Sequence, residues 1–206
     1  TALRRQRQMC IRDRYYTFFT LLLVGYYSCS SPNPSQKEEW ISLFNGKDLS
    51  DWTIKFANHD LNVNYQNTFR VQDSMIRIAY DQYGSFNDAY AHMYFKNPFS
   101  YYKLRFDYRF SGEQVIGGED WNVRNSGVML HSQSAESNDY GQYFPVSIEI
   151  QLLGGLGVGD RPTGNVCTPG TALVIDGKVD YRHCISSHSK TYHGDRWVSA
   201  EVVVLG

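Results

Sequence analysis

Residues 101–110, YYKLRFDYRF, alternate in character at every second position. Leu104, Phe106, Tyr108 and Phe110 fall on one side, and Arg105, Asp107 and Arg109 on the other. A period of two places successive side chains on opposite faces of a strand, so this segment covers a core with one face and meets solvent with the other. The same reading recurs along the chain. PVSIEIQLL and NSGVMLHSQ read as strands, and RWVSAEVVVLG as the last one. TFRVQDSMIRIAY is a hairpin turning at Asp73-Ser74, with Phe69 and Val71 before the turn and Met75, Ile76 and Ile78 after it. ALVIDGKVDY is a second hairpin, turning at Asp176-Gly177. ISLFNGKDLSDW carries an Asn45-Gly46 turn and Trp52 as a buried anchor. Segments 111–124 and 132–143 are long loops, the places where a rigid sandwich commonly carries function. From Trp40 onward no segment has a helical period. The expected fold is all-β, a sandwich of two antiparallel sheets, with jelly-roll and concanavalin-like forms the natural candidates. The final VSAEVVVLG stops inside a strand-like run, so a C-terminal truncation of one or two strands is also expected.

Charge narrows the partners. The formal net charge is −1. Setting aside the first 14 residues, with Arg4, Arg5, Arg7, Arg12, Arg14 and Asp13, leaves 15 basic and 20 acidic residues. A mildly acidic body has no electrostatic footprint for nucleic acid. Aromatics make up 15% of the chain, enough to serve both strands and the stacking of sugar rings.

The N-terminal region divides into three pieces. Residues 1–14 contain RQMCIRDR, which resembles a translated sequencing adapter, and they are set apart from the fold together with Cys10. The alternative is the basic start of a signal peptide. Residues 15–29 hold an apolar run of 13 from Tyr15 to Tyr27, followed by Ser28-Cys29. The run is shorter than the ~20 residues a membrane helix needs. It fits a signal peptide ending in a lipobox, with Cys29 as the lipidated residue. Simple secretion with cleavage nearby is the alternative. Residues 30–38 form a linker, and 39–206 the folded domain. The expected location is outside the cytoplasm, as a periplasmic or outer-membrane lipoprotein touching the membrane only through its lipid.

Alternation also proposes a site. On PVSIEIQLL, Ser147, Glu149, Gln151 and Leu153 share a face, and Asn125, Gly127, Met129 and His131 share one on NSGVMLH. If the two strands are neighbours, Asn125 and His131 flank Glu149 and Gln151, while Gly127 leaves room for a ligand. A plain solvated sheet face is the competing reading. Trp121 in the preceding loop could stack on a pyranose ring or simply plug the loop. Arg124 lies beside it. Further on, His188, Lys190, Tyr192 and His193 form a rim or a plain polar loop. Cys167 and Cys184 read as a disulfide in an exported protein, or as metal ligands with His183 and His188. The adjacent Glu119 and Asp120 read as a solvated pair.

LFNGKDLSDW, NSGVMLH and IEIQLL, in that order, resemble the 3-keto-disaccharide hydrolase family over about residues 39–206. One departure is His131, where the family frequently has Arg. The resemblance implies a concanavalin-like jelly roll acting on a sugar whose carbon 3 is a ketone. Such a ketone acidifies the carbon 2 proton, and the group on carbon 1 then leaves from the enolate. This chemistry needs a base, donors for the enolate oxygen and an acid for the leaving group. The candidates are Glu149 or His131 as base, Arg124 or Lys190 for the enolate, and His193 for the leaving group. Asn125, Gln151 and Tyr192 would bind hydroxyls, and Trp121 would stack. No cofactor is expected; a divalent cation such as calcium suits the fold but no oxygen-rich loop indicates it. A non-catalytic carbohydrate-binding module is the alternative function, and a structural or adhesive surface lipoprotein a third.

Overall fold

A computed structural model of the chain describes residues 10–11, by their backbone, and residues 39–206. The signal-peptide, lipidation and linker assignments, including Cys29, lie outside the described residues. The backbone of Cys10–Ile11 (β1) pairs antiparallel with both Ile41–Ser42 (β2) and Tyr101–Tyr108 (β7).

Among the described residues, regular structure is otherwise strands of two to eight residues and three single-turn 3-10 segments. The remaining strands are Trp52–Phe56 (β3), Phe69–Gln72 (β4), Met75–Ile78 (β5), Ala91–Phe95 (β6), Asn125–Leu130 (β8), Ile148–Leu153 (β9), Asn165–Cys167 (β10), Leu173–Ile175 (β11), Lys178–Asp180 (β12), Cys184–Ile185 (β13) and Val198–Leu205 (β14). One antiparallel sheet runs β14-β7-β1-β2 and a second runs β13-β10-β9-β8. Three two-stranded pairs complete the set: β3 with β6, β4 with β5, and β11 with β12.

The two larger sheets face each other through the alternating apolar positions. Leu104 and Phe106 of β7 and Leu152 of β9 form one buried cluster with Leu43. Val128 of β8 and Ala200 and Val202 of β14 pack against it. The opposite face of β7 carries Arg105, paired with Glu201, and Asp107, bonded to Ser199. Trp52 anchors the strand entry by donating its indole N–H to the Leu43 carbonyl at 3.1 Å. A second cluster, Ile54, Phe56, Phe69, Phe86 and Ala89, lies under β3, β4 and β6.

The expected turns form where their residues permit positive φ. Asp73 and Ser74 sit at 51° and 54°, and Asp176 and Gly177 at 49° and 75°. Two successive positive values are the geometry of a two-residue hairpin whose twist matches its strands.

Candidate functional site

Strands β8, β9 and β10 are consecutive neighbours. Their register sets Gly127 opposite Gln151 and Met129 opposite Glu149, then Gln151 opposite Asn165 and Glu149 opposite Cys167. Val128, Ile150 and Leu152 point to the core, so Gly127, Met129, Glu149, Gln151 and Asn165 share the other face.

Glu149 is half-buried, and burial raises its carboxyl to about 7 from an ordinary value of 4.5. Among the described residues no hydrogen bond or cation offsets the cost of its charge. Its side chain folds back over Gly127. A Cβ built on Gly127 would lie 2.6 Å from Glu149 Cγ and 2.8 Å from Cδ. The glycine is therefore required by close approach: the carboxylate occupies the space a side chain would fill.

Gln151 is held from the side. Asn165, only 5% exposed, donates to Gln151 Oε1 at 3.0 Å. Asn165 also donates to the Pro162 carbonyl at 3.1 Å and accepts the Ser187 N–H at 2.9 Å. Cys167 and Cys184 form a disulfide, joining directly opposed positions of β10 and β13.

Asn125 donates to the Trp121 carbonyl at 2.9 Å, drawing the loop onto the start of β8. Trp121 is 51% exposed and stacks parallel on Tyr90, with ring centres 5.9 Å apart. Tyr143 and Phe144 pack around Tyr90, Asn122 donates to the Tyr90 hydroxyl, and Tyr143 donates to Asp88. Beside this group His92 donates to the Tyr143 carbonyl at 2.9 Å, and burial lowers its pKa.

The other predicted groups gather elsewhere. Strand β8 ends at Leu130, and His131 follows with a left-handed φ of 49°, so alternation stops there and the imidazole is exposed. Arg124 pairs with Asp195 at 2.6 Å and donates to the Gly194 carbonyl. His193 packs on Gly155 and accepts the Gly157 N–H on Nδ1 at 3.0 Å. The Tyr192 carbonyl accepts the Gly155 N–H. Gly155 lies six residues beyond Glu149, or ~20 Å at strand spacing. Lys190 is exposed and lines a cleft of about 560 Å³ with Asp160, Ser187, His188 and His193. Two groupings therefore exist: Glu149, Gln151 and Gly127 at mid-strand, and Arg124, Tyr192 and His193 past the end of β9. Among the described residues no three His, Cys, Asp or Glu side chains gather as a metal-ligand set.

The family model for the 3-keto-alpha-glucoside-1,2-lyase-like domain, which also carries the 3-keto-disaccharide hydrolase name, matches residues 39–206. The chain belongs to this family. No curated protein and no solved structure matches it. The 3-keto-disaccharide hydrolase family is concanavalin-like, in agreement with the antiparallel sandwich seen here.

Two members of the site escaped the sequence reading. Asn165 stands two positions before Cys167, and extending the alternation back from that cysteine would have placed it beside Gln151. Arg161 is the other. Its guanidinium donates to the carbonyls of Gly154 and Arg124, and burial lowers its pKa. Nothing in its loop sequence announces this.

Proposed function

We propose that this domain cleaves 3-keto-glycosides by elimination across carbons 1 and 2, with Glu149 as the base. The observation that carries the reading is the Glu149 carboxyl itself, folded over the bare backbone of Gly127 and pushed up to about 7 by burial. A base is most effective with a pKa near the working pH.

The carboxylate removes the carbon 2 proton, and that bond's electron pair flows to the carbon 3 oxygen as an enolate. The enolate then reforms the ketone, a double bond forms between carbons 1 and 2, and the carbon 1–oxygen bond breaks. The proton held by Glu149 returns to the departing oxygen. Addition of water to the new double bond completes a net hydrolysis. Glu149 serves both roles because, among the described residues paired across β8, β9 and β10, it is the one titratable group on this face. Arg124 and His193 are engaged past the end of β9, and His131 stands at the near end of β8.

Replacing Glu149 with Gln should lower turnover of a 3-keto-glucoside by about 10²–10⁴-fold. Proton NMR in heavy water reads aglycone release and loss of the carbon 2 signal together. Undiminished turnover in that variant removes the assignment. The half-exposed Trp121 on Tyr90 favours one second reading, a carbohydrate-binding module. That reading predicts that the folded protein leaves the ketoside intact while broadening its signals.

The proposal extends to an exported setting, with residues 15–29 as signal peptide and Cys29 lipidated. The Cys167–Cys184 disulfide supports it, since such bridges persist in oxidising compartments. Radiolabelled palmitate should enter the full chain and be lost in Cys29→Ala; equal labelling of both would defeat the lipid anchor.

A further inference from the structure

We propose that Asn165 is a positioning residue that holds the Gln151 amide as an N–H donor beside the Glu149 carboxylate, where it receives the enolate oxygen of a 3-keto sugar. This rests on Glu149 being the base.

The orientation of Asn165 is set by two backbone groups. Its Oδ1 accepts the Ser187 N–H and its Nδ2 donates to the Pro162 carbonyl. A backbone N–H can only donate and a backbone carbonyl only accept, so turning the Asn165 amide over would create two mismatches at once. At a position 5% exposed, such mismatches are costly. The second Nδ2 proton is therefore committed to Gln151, and Gln151 must answer with Oε1, as the 3.0 Å contact between these directly opposed residues has it. Turning the Gln151 amide instead would set donor against donor. Its Nε2 is left facing outward, and among the described residues it has no acceptor.

Gly127 is the residue opposite Gln151 on its other side, and the Glu149 side chain lies across Gly127. The carboxylate and the amide thus lie on one face of β9, two positions apart, with the carboxylate on the β8 side and the amide on the β10 side. That is the polarity an elimination requires: an acceptor for the carbon 2 proton and a donor for the oxygen that gains the electron pair. Hydroxyl groups would be served by either end of an amide. An enolate oxygen is served only by the N–H end.

Steady-state kinetics on a 3-keto-glucoside with wild type, E149Q, Q151E and N165D separates the parts. Q151E keeps an oxygen for Asn165 but replaces the donor with a carboxylate oxygen, so kcat should fall about 10²–10³-fold with KM within about threefold of wild type. In N165D the aspartate accepts instead of donating, Gln151 turns its oxygen outward, and kcat should fall alike. The double variant should lose no more than Q151E alone. A readout independent of turnover is the side-chain amide resonance of Gln151 in nitrogen-15-labelled protein, identified by its loss in Q151E. Its protons should exchange with solvent as an exposed glutamine's do in wild type and become protected in N165D. If N165D does not fold, the wild-type resonance and Q151E still decide.

Protected Gln151 protons in wild type would overturn the orientation. Q151E retaining kcat within about threefold while E149Q is inactive would overturn the donor role and leave Glu149 as base. An active E149Q would instead remove the base, and the enolate role with it, whatever the amide signal shows.

Discussion

A methyl group at position 127 would occupy the space of the Glu149 side chain. Gly127 has no positive φ to defend, so alanine is conformationally acceptable there and its effect falls on the carboxylate. Displaced toward water, Glu149 should lose both its geometry and its raised pKa. Gly127→Ala is therefore expected to lower kcat/KM by about 10²-fold in a protein that still melts cooperatively. The pH profile adds a second check. Wild-type kcat/KM should rise as Glu149 ionises, with its midpoint near pH 7, because burial holds the acid form to about that value. In Gly127→Ala the midpoint should move down toward 4.5, the ordinary value. A variant with unaltered rate and midpoint would show that the carboxylate does not depend on the bare backbone beneath it.

At the scale of elements, the site is a ladder of short strands. Met129, Glu149, Cys167 and Cys184 lie abreast across β8, β9, β10 and β13. The disulfide fastens the short edge strand β13 to β10, and β10 in turn supplies Asn165 to Gln151. Its two cysteines are 17 residues apart in sequence, a closure that stabilises by about 3 kcal/mol. Replacing both cysteines by alanine should lower the melting temperature by roughly 6–12 °C in a chain of this size. Calorimetry of the oxidised protein against the double variant checks this, and a shift under about 2 °C would mean that hydrogen bonding alone holds β13.

For the whole molecule, the raised carboxyl makes stability depend on pH. Between about pH 4.5 and about pH 7 the folded chain holds a proton on Glu149 that the unfolded chain has released. The folded state binds more protons there, so this contribution to stability is complete below 4.5 and is lost as pH rises through 7. Asp48 and Asp180, drawn down to about 2 by Ser50 and Asn45 and by Arg182 respectively, act in strong acid, below that window. Glu149→Gln carries no such proton. Its melting temperature relative to wild type should therefore climb from pH 5 to pH 8, and a constant difference would contradict the buried, unpaired state of the carboxyl.

Period-two patterning was enough to determine strands β7, β8, β9 and β14, because each covers a core with one face. Turn chemistry at Asp73-Ser74 and Asp176-Gly177 determined two hairpins, since those residues tolerate the positive φ that a tight return demands. Alternation likewise put Glu149 and Gln151 on a common face before any pairing was known. It failed at His131, where a left-handed residue ends the strand, a local backbone choice that no side-chain pattern records. Register was decided only in three dimensions. That β8 lies beside β9, that Glu149 reaches over Gly127, and that Asn165 turns Gln151 all depend on contacts between segments distant in sequence. The division of the charged candidates has the same origin: Arg124 found Asp195 and His193 found Gly157 past the end of β9. A side chain's residue type states what it can bond, whereas its partner and its burial are properties of the packed whole.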